Sequence, residues 1–522
     1  MNRDALIRNL DDRLWDVIVI GGGATGLGVA VDAQSRGYRT LLLEHYDFAK
    51  ATSSRSTKLV HGGVRYLKQG NIALVTEALR ERGLMRRNAP HLVKNLAFVV
   101  PRYKWWEGPF YGVGLRLYDR LAGELNLSRS RQLSREETIH RIPNIETEHL
   151  LGGAMYHDAQ FDDARMAVTL AATAVEEGAT VLNYMRVTAV TKSEDFVTGV
   201  RAVDTETGDE YVLRSRAVVN AGGIFADKIR RLDEPGAEAT ITTSQGVHLV
   251  LDRSFLEGET AIMVPQTDDG RVLFVIPWKG CVLVGTTDTP MNTPEIEPRA
   301  LEEEIGFILR NAGRYLSRNP GRDDVLSVFA GQRPLVAPQI QGVRTRALSR
   351  EHSVMIADSG LVTIIGGKWT TYRKMAQDTV DSVALIAGLK ERPCATETLK
   401  LYGWDDNEAP DEFEHLSVYG SKRVRLQTLL DSHESMSRLL HPRLPYAAGQ
   451  VLWAAQHEMA RTVEDVLSRR TRSLLLDAAA SIEAAPHVAE LLAGALQRRE
   501  GWVKKQISSY ESVAKGYLPS VS

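Results

Sequence analysis

Apolar residues along the chain switch repeatedly between strand-like and helix-like spacing, which predicts alternating strands and helices. Trp15 to Ile20 is a short β-branched run, as expected of a strand buried in a parallel sheet. Gly21 to Gly28 reads as a tight turn opening a helix, Ala30 to Arg36 as its continuation and Gly37 as its end. Thr40 to Glu44 is then a second strand. Residues 72–88 read as a helix with Ala73, Leu74, Ala78, Leu79 and Leu84 on one side and Arg and Glu opposite. Strand patterns dominate from about 150 to the 280s, apart from helical stretches near 162–177 and 223–232. Residues 301–316 read as a helix and 353–386 as a further strand–helix unit. From about 392 the texture changes: an acidic, Pro-containing stretch, WDDNEAPDEFE, leads into largely helical sequence from about 446 onward.

Residues 102–135 break this rhythm. Trp105, Trp106, Phe110, Tyr111, Leu115, Leu117 and Tyr118 are mixed with seven basic and three acidic residues, a net charge of +4. Trp and Tyr beside Lys and Arg suit a bilayer surface carrying anionic lipid. The competing reading is a core or dimer-contact helix with a solvated basic face. Gly108, Gly112 and Gly114 argue against one continuous helix. Near the other end, Arg469, Arg470 and Arg472 lie beside Glu464 and Asp465, at spacing that suits an ion-pair network within or between domains.

Composition narrows the function classes. At 522 residues the chain exceeds a single core, since domains run to roughly 100–200 residues. It is 43% apolar and 25% charged with a formal charge of −2, so no bulk polyelectrolyte character draws it to nucleic acid. Two cysteines far apart, Cys281 and Cys394, suggest neither a disulfide framework nor a metal site, and they fit a reducing cytoplasm. The charged first residues do not read as a signal peptide, and no apolar run approaches the length of a membrane span.

The chemistry begins at VIVIGGGATGLGVA. Gly21, Gly23 and Gly26 stand in G-x-G-x-x-G spacing between a strand and a helix. The first permits the turn, the second lets backbone approach a pyrophosphate, and the third lets helix pack on strand. Ala24 and Thr25 sit where the first helical N–H groups meet phosphate oxygens. Glu44, 23 residues after Gly21, ends the second strand, where a carboxylate accepts from ribose hydroxyls. Two later strands also end in glycines, at Ala221-Gly222-Gly223 and at Gly366-Gly367-Lys368, each leading into a helix. A second such junction supplies N–H donors and a positive dipole for an electron-rich flavin edge, which favours FAD over NAD.

Six stretches carry a family likeness: ATSSRSTKLVHGGVRYL (51–67), SQGVHLVLD (244–252), VIPWKGCVLVGTTDTP (275–290), FAGQRPL (329–335), GGKWTTYRKMAQ (366–377) and HEMARTVEDVLSRRTR (457–472). Through them the chain resembles, over nearly its whole length, the FAD-dependent glycerol-3-phosphate dehydrogenases of the glycine-oxidase-like flavoprotein group. The resemblance implies an α/β fold. A discontinuous Rossmann-type FAD-binding domain (14–80, 150–240 and 340–390) is interleaved with a β-rich substrate domain (81–149 and 241–339) and followed by a C-terminal α-helical domain (392–522). It also implies oxidation of glycerol 3-phosphate to dihydroxyacetone phosphate, with electrons passed to quinone by a protein lying peripherally on the inner face of the cytoplasmic membrane. A homodimer is compatible with it.

The resemblance places Arg65, Tyr66, Arg333, Lys368 and Thr370 near substrate, with His61 and His248 at or close to the flavin. Arg333 and Lys368 are expected beside the reacting hydroxyl, and Arg65 with Tyr66 as orienting groups for the substrate or its phosphate. The base is expected to be His248 or His61, because imidazole titrates near neutrality; a water is the alternative. Covalent flavin attachment at His61 is the less favoured arrangement, and Asp288 either acts or merely shapes a turn. Implied cofactor contacts come from Thr52, Ser53, Ser56, Lys58, Leu59, His61, Gly62 and Gly63. Val187, Ala221, Gly222, Gly366, Gly367, Lys368 and Thr370 complete the implied set.

Three rival functions fit less well. A soluble glycerol-3-phosphate oxidase making hydrogen peroxide would share the fold, but its relatives tend to carry an insert not evident here. An amine or amino-acid oxidase needs one carboxylate anchor rather than several cations. An RNA-binding flavoprotein would want a basic domain and more cysteines.

Overall fold

A computed structural model describes residues 1–10, 13–64, 70–336, 352–407 and 411–519. Leu14–Ile20 forms the centre of the first sheet, where Val17, Ile18 and Val19 are fully buried. It pairs in parallel with Thr40–Leu43 on one side and Glu210–Asn220 on the other. The order across the sheet is His352–Ile356, Val362–Gly366, Glu210–Asn220, Leu14–Ile20, Thr40–Leu43 and Thr180–Leu182, with Met185–Ser193 and Phe196–Asp204 as an antiparallel branch. The continuous apolar run is explained by cover on both faces. The helix Ala24–Ser35 packs so closely on Tyr372–Ile386 that a Cβ on Gly28 would lie 2.9 Å from the Tyr372 ring.

A second, larger sheet is antiparallel apart from one parallel pairing, Ala261–Val264 with Val93–Arg102. Ile241–Asp252 pairs along most of its length with Val325–Val336. Leu59–Val60 and Gly152–Phe161 belong to this sheet, although they lie within 14–80 and 150–240, the stretches expected to build the cofactor domain. Residues 51–60 therefore cross from one sheet to the other. The chain places its site along this crossing.

Three sequence expectations are corrected. Glu107–Ala122 is one continuous helix despite its glycines. Two of them are packing contacts: a Cβ on Gly108 would lie 2.4 Å from Arg102 Nη1, and one on Gly112 would lie 3.1 Å from Gln132 Nε2. The helix Ile72–Asn88 forms as expected, and Ala78, Leu79 and Leu84 are buried, but Val75, Arg82 and Met85 are buried with them while Ala73 is exposed and Leu74 half-buried. The charged Glu81 and Arg82 are buried because each has a partner, Arg373 and Asp158 respectively. Helical structure also begins earlier than 446, at Asp411–Lys422 and Arg423–Asp431, where Leu416, Leu426 and Leu430 pack in one cluster with Trp453.

The C-terminal helices are joined to the first sheet by buried ion pairs. Asp47 takes Arg470 through both oxygens (2.6 and 2.9 Å) and Arg469 at 2.5 Å. Arg472 reaches Asp163 at 3.0 Å, and Arg165 holds Glu458 with two bonds of 2.7 Å. The expected Arg469–Asp465 contact is present at 2.8 Å. The arginine cluster is thus an internal bracket between the helical part and the first sheet.

Candidate active site

The glycine turn has the geometry its spacing requires. Gly21 has φ +112°, and a Cβ there would stand 2.5 Å from the Ala221 carbonyl oxygen. One on Gly26 would stand 1.9 Å from the Gly21 oxygen. Gly23 is the N-cap of the following helix and offers no side chain of its own there; Ser53 takes the first helical N–H, at Ala24. Glu44 accepts the Gly22 N–H at 2.5 Å and the Tyr46 N–H at 2.8 Å, while burial pushes its carboxyl pKa up.

From this turn a cavity of about 1250 Å³ runs between the two sheets. That exceeds the ~300–1,000 Å³ typical of a single small ligand, leaving room for a cofactor and a substrate together. Gly23, Ala24, Thr25, Thr52 and Ser53 line one end. The Ala24 N–H donates to Ser53 Oγ (3.0 Å), Thr52 Oγ1 donates to the Gln332 carbonyl (2.6 Å), and the Trp369 indole N–H donates to the Ser53 carbonyl (2.9 Å). The loop is therefore stapled to both sheets. Gly366 and Gly367 adopt φ of +78° and +76°, which turns the strand Val362–Gly366 sharply into Lys368 and the helix beyond. This cradle, in which side chains at the glycines would collide, fits the flat ring and pyrophosphate of FAD.

The reactive end gathers His61, His248, Arg333, Lys368 and Thr370 on one cavity wall system. Arg333 lies near Thr286 Oγ1 (3.2 Å), the Thr287 carbonyl (3.3 Å) and Asp288 (3.4 Å), and Ser244 donates to the same Asp288 carboxylate. His248 is buried, stacks on Phe329 at 4.9 Å and lies 2.9 Å from the Thr57 hydroxyl through Nε2. Burial first, then the charges of Lys58 and Arg333, hold its pKa well below the usual value, so the ring is held neutral. The His61 N–H donates to Thr370 Oγ1 at 3.3 Å. Arg55, Arg271, Arg333 and Lys368 line the cavity; Arg55 is paired with Glu297, Arg271 with Asp269 and Arg333 with Asp288.

Other expected residues lie elsewhere. Lys58 is fully buried behind the wall, bonded to Asp163 (2.7 Å) and the Ser54 carbonyl (2.8 Å), and burial brings its pKa down to about 7. Ser56 lines the cavity, but its hydroxyl donates to Asp163. Leu59, Gly63 and Ala221 are on the wall, whereas Gly21, Gly26, Glu44, Gly62, Gly222 and Val187 are not among the lining residues. Arg65 and Tyr66 fall outside the described residues.

Several site residues escaped the sequence reading. A Cβ on Gly246 would lie 2.2 Å from Arg333 Nη2, and one on Gly285 would lie 2.3 Å from the His248 ring. Arg55, held by Glu297, sat inside a quoted motif without being singled out. Asp158 had no local signal at all. The cavity's far end is apolar, lined by Phe98, Met263 and Phe274 together with Pro109, Phe110 and Val113 of the helix Glu107–Ala122. Trp105 (80% exposed) and Val113 (70% exposed) project from this region.

Comparison with known proteins agrees with this architecture. The family described as FAD dependent oxidoreductase matches residues 16–373, and the C-terminal domain of alpha-glycerophosphate oxidase matches residues 361–505. The mitochondrial glycerol-3-phosphate dehydrogenase of Schizosaccharomyces pombe is 38% identical, over 99% of this chain and 89% of the relative. The crystal structure of a glycerol-3-phosphate dehydrogenase from Bacillus halodurans complexed with FAD superposes with a TM-score of 0.80 at 30% identity, covering 100% of this chain and 98% of that one. Glycine oxidase from Geobacillus kaustophilus shares the fold at a TM-score of 0.51 and 19% identity, over 74% of this chain and 98% of its own.

Proposed function

This chain belongs to the family of FAD-dependent glycerol-3-phosphate dehydrogenases, and we infer from that membership that it oxidises sn-glycerol 3-phosphate to dihydroxyacetone phosphate. The observation that carries the reading is the convergence of Arg333, Lys368, His248 and His61 on one cavity that begins at a dinucleotide turn. FAD, when bound, supplies the acceptor for the hydride on C2 of the alcohol. Gly21, Gly23, Ala24 and Thr25 would hold its pyrophosphate, Glu44 its ribose, and Thr52, Ser53, Gly366 and Gly367 its flavin side.

The remaining work falls to side chains. Arg333 and Lys368 orient the C2 hydroxyl and stabilise the negative charge that grows on its oxygen. Arg333 is aimed by Thr286, Thr287 and Asp288, so its guanidinium is pre-positioned. His248, which lines the cavity, is assigned to take the hydroxyl proton, with His61 as the alternative acceptor. Arg65 and Tyr66, placed near substrate by family resemblance, are assigned to orienting the substrate or its phosphate.

Electrons pass on to a quinone at a membrane surface in this reading. The exposed Trp105, Trp106, Phe110, Val113 and Leu117 support it, as does the basic sequence around them. No helix among the described residues is long and apolar enough to cross a bilayer; the attachment proposed here is peripheral, at the inner face of the cytoplasmic membrane. The rival acceptor is oxygen. Co-sedimentation with phosphatidylglycerol vesicles, followed by glycerol 3-phosphate-dependent reduction of a vesicle-borne quinone, tests the assignment. Binding with quinone reduction and little hydrogen peroxide is expected; turnover that makes stoichiometric peroxide and ignores quinone overturns it.

A further inference from the structure

The helix Glu107–Ala122 has two distinct faces. Phe110, Val113 and Leu117 are exposed, whereas Leu115, Tyr118 and Ala122 are buried. Tyr118 runs from the inward face to the backbone of the histidine–glycine loop. Its hydroxyl accepts the Gly62 N–H at 2.8 Å and directs its one proton at the Asp158 carboxylate, whose oxygens lie 2.8 and 3.0 Å away; the same Gly62 N–H also lies 3.4 Å from Asp158 Oδ1. Arg82 holds Asp158 from the other side at 2.7 Å, and Tyr118, Asp158 and Arg82 are all buried.

The proton order in this cluster is determined by chemistry. Burial pushes the Asp158 carboxyl pKa up and the Arg82 guanidinium opposes that push; as a carboxylate, Asp158 accepts the Tyr118 proton. That leaves a hydroxyl lone pair for the Gly62 N–H. No side chain fits at residue 62: a Cβ there would stand 2.6 Å from the Tyr118 oxygen and 2.5 Å from Leu79 Cδ2. On its other side the loop is tied through the His61 N–H to Thr370, which lines the cavity beside Lys368. His61 and Gly62 are thus strung between the glycine-ended strand of the first sheet and the amphipathic helix.

We propose that Tyr118, aimed by Asp158 and Arg82, is a positioning residue that sets the His61–Gly63 loop at the substrate end of the cavity and ties that loop to the amphipathic helix. The inference rests on the substrate reading above. The helix, which carries the exposed apolar face, is thereby joined to the loop through the Tyr118 hydroxyl and Asp158.

The test uses the full-length, FAD-loaded protein as wild type, Tyr118→Phe and Asp158→Asn. Steady-state kinetics with a soluble dye acceptor are read beside the visible flavin spectrum and the thermal midpoint. Loss of the hydroxyl is expected to raise KM for glycerol 3-phosphate about tenfold with kcat changed less than about threefold. Asp158→Asn, which frees the tyrosine proton from its single direction, is expected to move KM the same way. A lowered thermal midpoint with KM unchanged is what a purely structural role gives, and it overturns the proposal. Should neither variant fold, amide hydrogen exchange of the wild type decides: slow exchange at Gly62 supports the bond, and exchange as fast as in exposed loops removes it. If glycerol 3-phosphate does not reduce the wild-type flavin, the substrate reading fails, while the exchange at Gly62 still judges the loop.

Discussion

Nε2 of His248 lies 2.9 Å from the hydroxyl oxygen of Thr57, so the imidazole is held from within the flavin loop itself. Phe329 supports the ring from one face, and the absence of a side chain at Gly285 leaves it space. A histidine fixed in this way at the cavity wall is the candidate proton acceptor. His248→Asn is expected to lower kcat by about 10²–10⁴-fold while FAD stays bound. His61→Asn is the control: if it carries the larger loss in kcat, the base is His61.

Gly246 clears the path of Arg333, since a Cβ would come within 2.2 Å of Nη2 and 2.5 Å of Thr286 Oγ1. Gly246→Ala is therefore expected to displace the guanidinium and reduce kcat/KM about 10²-fold, the size of effect that a misplaced catalytic group produces. Steady-state kinetics and a flavin spectrum check it together. The spectrum should be that of the wild type, because the cofactor cradle lies elsewhere.

These two glycines show where the sequence stopped being informative. The G-x-G-x-x-G turn was legible because its collisions, Gly21 against Ala221 and Gly26 against Gly21, arise within a fixed strand–turn–helix pattern. Gly246 and Gly285 are needed only because side chains from other strands, Arg333 and His248, fold over them. Asp158 sits in an apolar strand, Gly152–Phe161, and gains its role from Arg82 and Tyr118, 76 and 40 residues away. The helix Glu107–Ala122 was obscured by glycines whose use is close packing on Arg102 and Gln132. Helical sequence after 411 was hidden by its acidic lead-in.

Asp47 is buried between two arginines of the C-terminal helices, which hold its carboxyl far below the usual carboxylate range against the opposing effect of burial. Asp47→Ala leaves both cations buried without this partner. A loss of about 3–5 kcal/mol in unfolding free energy is expected, read from denaturant titration. A loss below about 1 kcal/mol would mean that the bracket adds little.

Burial, helped by nearby Arg165, lowers the pKa of His91 from 6.5 to about 4. A histidine depressed in the folded state contributes its stability in full above pH 6.5, and that contribution is lost as pH falls towards 4, because the unfolded chain takes up the proton first. The shift corresponds to about 3 kcal/mol over that window. Thermal midpoints measured from pH 7.5 to 5 should fall for the wild type and fall less for His91→Gln. Parallel slopes would remove His91 from the account.

The central claim is that FAD bound here is reduced by glycerol 3-phosphate. Its most direct measurement is an anaerobic titration of the FAD-loaded protein with sn-glycerol 3-phosphate, followed in the visible spectrum. Full bleaching of the oxidised flavin band with formation of dihydroxyacetone phosphate, and no response to glycerol or glycine, is the predicted result. A folded, FAD-loaded protein whose flavin stays oxidised under saturating glycerol 3-phosphate would contradict it.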